Sequence, residues 1–215
     1  LASGKGFKFS PEFSRLTHEN CGIFTVDKEN NTVKTLTRGA GAWSEISTYI
    51  IQDNKPILVN LRKEDSSAPL YFTTIQNFEG DKMVETNSTT IKLYDDNVTE
   101  AFTFYVDSKM KTIILYSLDD QTLHYAITNV EGLVEFYYPK IAANKQTDFS
   151  YFSKSNTLKF RTKDAEYAIT DTPGNLGISI TTKGKTYRWK GNTEVREGSL
   201  AALLKKTYNN VTKIR

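Results

Sequence analysis

Few residues in this 215-residue sequence have the type and spacing that chemistry needs. The two histidines, His18 and His124, are far apart, and neither belongs to an HExxH motif or a Cys/His cluster that would bind zinc. Cys21 is the single cysteine and follows His18 by three residues, a spacing open to a thiolate–imidazole pair. Its neighbourhood is polar and starts no helix, so nothing there would lower the thiol pKa. Ser108-Lys109-Met110-Lys111 matches S-x-x-K by count but falls in an expected hairpin turn without the companion motifs. Gly39 and Gly41 flank only Ala40, with no Lys-Ser/Thr after them to complete a phosphate loop. Asp95-Asp96-Asn97 and Asp119-Asp120 lack the alternating spacing of a calcium loop and read as turns. A glycosidase-like carboxylate pair is defined by separation in space, and 25 Asp/Glu residues supply such pairs by chance. These residues predict no enzyme, no metal site and no cofactor, and leave binding as the expected activity.

Binding relies on a different set of residues. Trp43 follows Gly39-Ala40-Gly41-Ala42, with Arg38 before that stretch and Glu45 after it. Small residues there would let a partner approach the backbone, with Trp and Arg as the kind of anchors that dominate protein interfaces. Arg38, Trp43 and Glu45 are therefore the candidate partner-binding residues, against the simpler reading of Trp43 as a core residue at a strand start. Tyr137-Tyr138 and the Tyr187/Trp189 pair are candidate stacking platforms for a glycan. On the latter strand Tyr187 and Trp189 alternate with Arg188 and Lys190, which gives one aromatic and one basic face.

The elements that must carry these residues are strands. Alternating β-branched and aromatic runs recur between Asp, Asn, Lys and Gly turns. Strands are expected at 23–26, 32–38, 43–52, 57–62, 70–76, 91–94, 101–106, 112–118, 122–128, 133–138, 149–152, 157–161, 165–170, 177–182 and 185–190. Asp53-Asn54 and Lys183-Gly184 have the chemistry of tight reversals. One helix is expected, Leu200–Thr207, capped by Ser199 with Leu200, Leu203 and Leu204 as its apolar stripe. The fold class is all-β, made of antiparallel hairpins and meanders, propeller-like or as two packed β domains, with one short C-terminal helix. Phe24–Val33 recurs as Phe104–Ile113, with weaker echoes at Leu118–Leu123 and Ser153–Leu158. Such recurrence fits propeller blades or a repeated meander, and equally the re-use of good turn chemistry. Loop-like stretches at 63–69 and 139–148 suggest three regions, 1–64, 65–139 and 140–215, which form one continuous domain if the loops are internal.

Basic and acidic residues nearly balance, 28 against 25, but residues 183–215 hold nine basic residues against Glu194 and Glu197. That excess suits a solvated face or an anionic partner, and no nucleic-acid module accompanies it. No apolar run has the length of a membrane-spanning helix. Sequons at Asn30, Asn87, Asn97 and Asn210 read as chance in an Asn/Thr-rich chain.

Residues 7–62 combine several of these segments: Phe7-Lys8-Phe9-Ser10-Pro11-Glu12-Phe13-Ser14-Arg15-Leu16, Val26-Asp27, Thr32-Val33, Thr37-Arg38-Gly39-Ala40-Gly41-Ala42-Trp43, Thr48-Tyr49 and Asp53–Val59. In these the chain resembles a family of exported bacterial proteins with an FG-GAP-type, propeller-like β domain. One branch of that family consists of periplasmic immunity proteins against secreted peptidoglycan hydrolases. The resemblance covers about a quarter of the chain, rests on turn-and-strand signatures, and lacks the Asp-rich calcium loop usual upstream of them. It implies a periplasmic or exported protein that binds and inhibits a protein partner, a secreted effector or cell-wall hydrolase, without nucleic acid. Leu1-Ala2-Ser3-Gly4 are small residues of the kind that border a signal-peptidase site. The alternative is a carbohydrate- or cell-wall-binding β module.

Overall fold

A computed structural model describes residues 2–3, 6–7, 23–39, 43–53, 55–67, 69–118, 121–140 and 148–215. The chain is all-β, with one short α-helix among the described residues. It divides into two units, 1–90 and 91–215. Residue 64 lies inside a strand that pairs on both sides, and residue 139 lies between two strands of the second unit.

The N-terminal unit holds a two-residue pair, β1 (Ala2–Ser3) and β2 (Gly6–Phe7), and a six-stranded sheet. That sheet is an antiparallel meander in chain order: β3 (Ile23–Asp27), β4 (Thr32–Arg38), β5 (Ser44–Gln52), β6 (Lys55–Ser67), β7 (Leu70–Glu79) and β8 (Lys82–Ile91). Its reversals follow from their residues. The Asp27 carboxylate accepts the Glu29 and Asn30 N–H groups at 3.0 Å, and Asn31 takes the left-handed angle that closes the turn. Asp53 is left-handed too, at the expected reversal. Few side chains of the sheet are buried; Val33, Thr35, Ser47 and Leu70 are among them. Polar ladders cross the strands instead, including Asn60–Asn77 at 2.8 Å, Thr74–Asn87 at 2.6 Å and Gln76–Glu85 at 2.8 Å.

The C-terminal unit is a sandwich. One sheet has the order β12-β11-β10-β9-β18, from β9 (Val98–Val106), β10 (Lys111–Leu118), β11 (Thr122–Thr128), β12 (Val134–Tyr138) and β18 (Arg196–Glu197). The other has the order β17-β16-β15-β14-β13-β19. Its strands are β13 (Phe149–Phe152), β14 (Thr157–Arg161), β15 (Glu166–Thr172), β16 (Asn175–Thr182), β17 (Lys185–Lys190) and β19 (Val211–Ile214). All pairings are antiparallel except β13 with β19. Alternate residues of both sheets meet in one core that includes Phe102, Phe104, Leu115, Tyr125, Phe149, Leu158, Phe160, Ile169 and Ile178. Each such side chain contributes about 1.5–3 kcal/mol by leaving water. Helix α1 (Leu200–Leu203) adds Leu200 and Leu203 to this core, and Ser199 Oγ accepts the Ala202 N–H at 3.1 Å. The helix is shorter than expected because Leu204 already leaves the helical geometry.

None of the three larger sheets is closed or propeller-like. The recurring segments are turns re-used. Val106–Lys111 and Phe152–Thr157 enclose equivalent loops, each a 3₁₀ turn ending in a left-handed residue, Met110 or Asn156. The Phe24–Val33 match is displaced by one: Asp27 is the last residue of its strand, whereas Asp107 opens its turn.

Candidate functional site

The structure separates the three candidate binding residues. In the β4–β5 register Arg38 lies opposite Ser44, and Thr37 opposite Glu45. Strand alternation therefore sends Arg38 to one face of the sheet and Glu45 to the other. Glu45 approaches Lys63 at 3.8 Å, while Ser44 Oγ donates to Glu64 at 3.1 Å on the Arg38 side. Arg38 is exposed and forms no ion pair among the described residues. Trp43 stands just before β5, its carbonyl accepting the Gly39 N–H at 3.4 Å. Its indole lies on the backbone of Gly39, where an added Cβ would be 1.9 Å from Nε1. Gly39 thus seats the ring, and Trp43 is still 42% exposed. It is a positioned surface aromatic and not a core residue. Residues 40–42, His18, Cys21 and Asp119-Asp120 lie outside the described residues.

The same sheet carries further exposed apolar residues that sequence reasoning missed. Ile23, Phe24 and Val26 on β3 are 65, 58 and 54% exposed. β3 is the edge of its sheet, next to β4, whose other neighbour is β5. Their alternating β-branched and aromatic pattern signals a strand, but only the strand order shows that no other strand among the described residues lies beyond it.

The glycan platforms fare differently. Tyr138 stacks on Phe160 at 4.8 Å, and Trp189 packs against the sandwich core. Tyr137 joins a second apolar cluster, with Ile114, Tyr116 and Ala126, on the outside of the five-stranded sheet. Of these four rings Tyr187 is the exposed one, at 50%.

His124 belongs beside that second cluster. Its ring stacks on Tyr116 at 5.2 Å and is 8% exposed, and its Nε2 has no hydrogen-bond partner. Burial alone holds its pKa down at about 4, so the ring is neutral near pH 7. No carboxylate among the described residues is paired with it in a catalytic arrangement. Among the described residues no group of three or more His, Cys, Asp or Glu side chains is placed to hold a metal ion. The buried carboxylate of Asp171 receives Arg196 at 2.8 Å and the Leu200 N–H at 3.0 Å, so it ties β15 to β18 and α1.

The outer face of the six-stranded sheet carries the remaining cluster of charge. Lys159, Ala168, Ser179 and Arg188 form one cross-strand row; Thr157, Thr170, Gly177 and Lys190 form the next. Two shallow hollows of about 530 and 430 Å³ lie on this face and share Ala168 and Ser179. The alternation of basic and aromatic residues on β17 was legible in the sequence. The convergence of Lys159 with Arg188 was not, because it depends on the order β14-β15-β16-β17.

Compared with known protein families, curated proteins and solved structures, the chain matches none.

Proposed function

We propose that this is a protein-binding protein that acts by occupying a partner and performs no chemistry of its own. The observation that carries this reading is apolar exposure in the N-terminal unit: the seated Trp43 at the β4–β5 end, and on edge strand β3 Phe24 and Val26 on one face with Ile23 on the other, exposed by 42–65%. Exposed apolar surface of this kind marks interaction sites, and a pre-positioned tryptophan binds without losing rotamer freedom. Arg38 supplies an exposed guanidinium at the same hairpin end, and Glu45 belongs to the opposite face. The resemblance in residues 7–62 makes a secreted cell-wall hydrolase the partner to test first and the periplasm the compartment. An immunity or inhibitor protein needs only a rigid scaffold and a few anchors.

The test couples capture to activity. Immobilised chain is exposed to extracts containing secreted hydrolases, and a retained hydrolase is assayed on labelled peptidoglycan against increasing wild-type chain or Trp43→Ala. Inhibition that weakens about 30-fold in Trp43→Ala, the scale of an interface hot spot, supports the proposal. Retention of no protein, with sedimentation of the chain on purified peptidoglycan, would replace it with the cell-wall-binding reading.

A further inference from the structure

We infer that the outer face of the six-stranded sheet is a second interaction surface, and that it takes an acidic, extended segment of a protein partner. It lies in the C-terminal unit and does not depend on the Trp43 surface.

The argument begins with strand alternation. Phe160, Ile169, Ile178 and Trp189 face the core, so the residues between them face outward. On β14 and β17, the strands that border this region, the outward set includes Lys159, Arg161, Arg188 and Lys190, all exposed. On β15 and β16 between them it is short: Ala168, Thr170, Gly177, Ser179 and Thr181. The result is a floor of small side chains with cations along both borders. Lys159 and Arg188 share a row three strand spacings wide, about 14 Å. Along each bordering strand the cations are two residues apart, about 6.7 Å.

Within the protein these cations are only partly engaged. Arg161 pairs with Glu166, the one acidic side chain among these outward residues. Lys159 rests over the Phe152 ring at 4.8 Å, and Arg188 and Lys190 form no ion pair among the described residues. Lys159, Arg188 and Lys190 therefore border the hollows without an ion pair among the described residues; the larger hollow is also lined by Glu166, which is paired with Arg161, and by Asp148, which accepts from Asn210. Arg188 offers a guanidinium fork, which suits a carboxylate.

Charge complementarity and spacing name the occupant. An extended polypeptide repeats its same-face side chains about every 6.7 Å, the period of the cations on β14 and β17. A segment with Asp or Glu at alternate positions would lie along the strands with its carboxylates at the borders. Single-stranded nucleic acid fits less well, because its sites combine basic grooves with stacking aromatics. The outward residues from β14 to β17 include no aromatic ring, and Phe152, outward on neighbouring β13, lies under the Lys159 amine; Phe160, Tyr167 and Trp189 belong to the other side.

The experiment uses the full chain and a fluorescent eight-residue peptide of alternating Glu and Val, followed by anisotropy. A Gln-for-Glu peptide and a dT oligonucleotide serve as comparison probes. Wild type is expected to bind the Glu peptide, and K159Q/R188Q/K190Q to bind it about tenfold more weakly or worse. Raising salt from about 50 to about 300 mM should weaken wild-type binding and leave the Gln peptide unbound throughout. A second variant, K28Q/K55Q/K82Q, removes three exposed charges from the N-terminal unit and should retain affinity; far-UV circular dichroism verifies that each variant is folded. Equal losses in both triple variants would reduce the effect to net charge and overturn the proposal. So would no binding of the Glu peptide, or tighter binding of the oligonucleotide through the same three residues.

Discussion

Replacing Asn210 with alanine is expected to destabilise the C-terminal unit by about 2–6 kcal/mol. Asn210 is fully buried and precedes β19, yet its side chain works on β11: Oδ1 accepts the Leu123 N–H at 3.0 Å, and Nδ2 donates to the Leu123 carbonyl at 2.9 Å. One amide thus takes the place of a neighbouring strand for Leu123, while the Asn210 carbonyl accepts the Phe149 N–H at 3.0 Å. Alanine keeps that backbone bond but strands a buried donor and a buried acceptor, each at about 1–3 kcal/mol. Urea unfolding followed by Trp189 emission in a Trp43→Phe background isolates this unit. Asn209→Ala is the control, since the Asn209 side chain is exposed and its bond to Gln121 is made by the backbone. Asn210→Asp should be at least as damaging as Asn210→Ala, because it keeps the acceptor but aims an anion at a carbonyl and at Asp148. A loss below about 0.5 kcal/mol, no larger than for Asn209→Ala, would refute the bridging role. The same burial disposes of Asn210 as a glycosylation acceptor in the folded protein.

Three further outcomes follow from particular residues. His124 is held near pKa 4 in the fold against about 6.5 unfolded, so the unfolded chain binds the extra proton between those values and stability falls as pH drops through that window. From about pH 7 to 4.5 this amounts to about 2.5 kcal/mol, and His124→Phe should lose that much less stability than wild type in matched denaturant titrations; equal losses would show that the histidine is not buried neutral. Gly39→Ala should displace the Trp43 ring while leaving stability within about 1 kcal/mol, read as a shift of Trp43 emission in a Trp189→Phe background and as the same loss of partner affinity as Trp43→Ala. Met110 sits at φ +52 in an exposed turn whose counterpart is Asn156, so Met110→Asn should stabilise the C-terminal unit by about 0.5–1 kcal/mol in thermal unfolding.

What the sequence revealed of the fold depended on whether a strand has a wet face and a dry one. Strands 32–38, 122–128, 149–152, 157–161 and 185–190 are found at their expected limits. The strand Lys82–Ile91 was missed, and one was expected instead at 91–94, which is mostly turn. Its sequence, KMVETNSTTI, shows no apolar alternation because residues Lys82–Asn87 are all exposed and the strand is held by polar ladders. β19 was missed for another reason: it pairs in parallel with β13, some sixty residues earlier, and no local signal encodes such a partner. The propeller reading failed on a similar point, since a repeated turn motif is visible in sequence and sheet closure is not.

The basic C-terminal stretch shows why charge content and charge placement must be argued separately. Its nine basic residues read as a tail for an anionic partner. In the structure they do different jobs. Arg196 neutralises the buried Asp171 carboxylate, and Lys213 Nζ donates to the Lys205 and Lys206 carbonyls just beyond α1. Such groups are committed to the fold and have little left to offer a ligand. Arg188 and Lys190 are exposed on the strand at the edge of its sheet, and what makes them a surface is Lys159, about thirty residues earlier, brought level by two intervening strands. A net charge of +3 for the whole chain is therefore compatible with a local run of three uncompensated cations, because ion pairs elsewhere absorb the acidic residues. Long-range attraction to an anionic partner would follow the net charge and be modest. Orientation of that partner would follow the local arrangement, and this is why the two triple-glutamine variants, equal in net charge, are expected to differ in affinity.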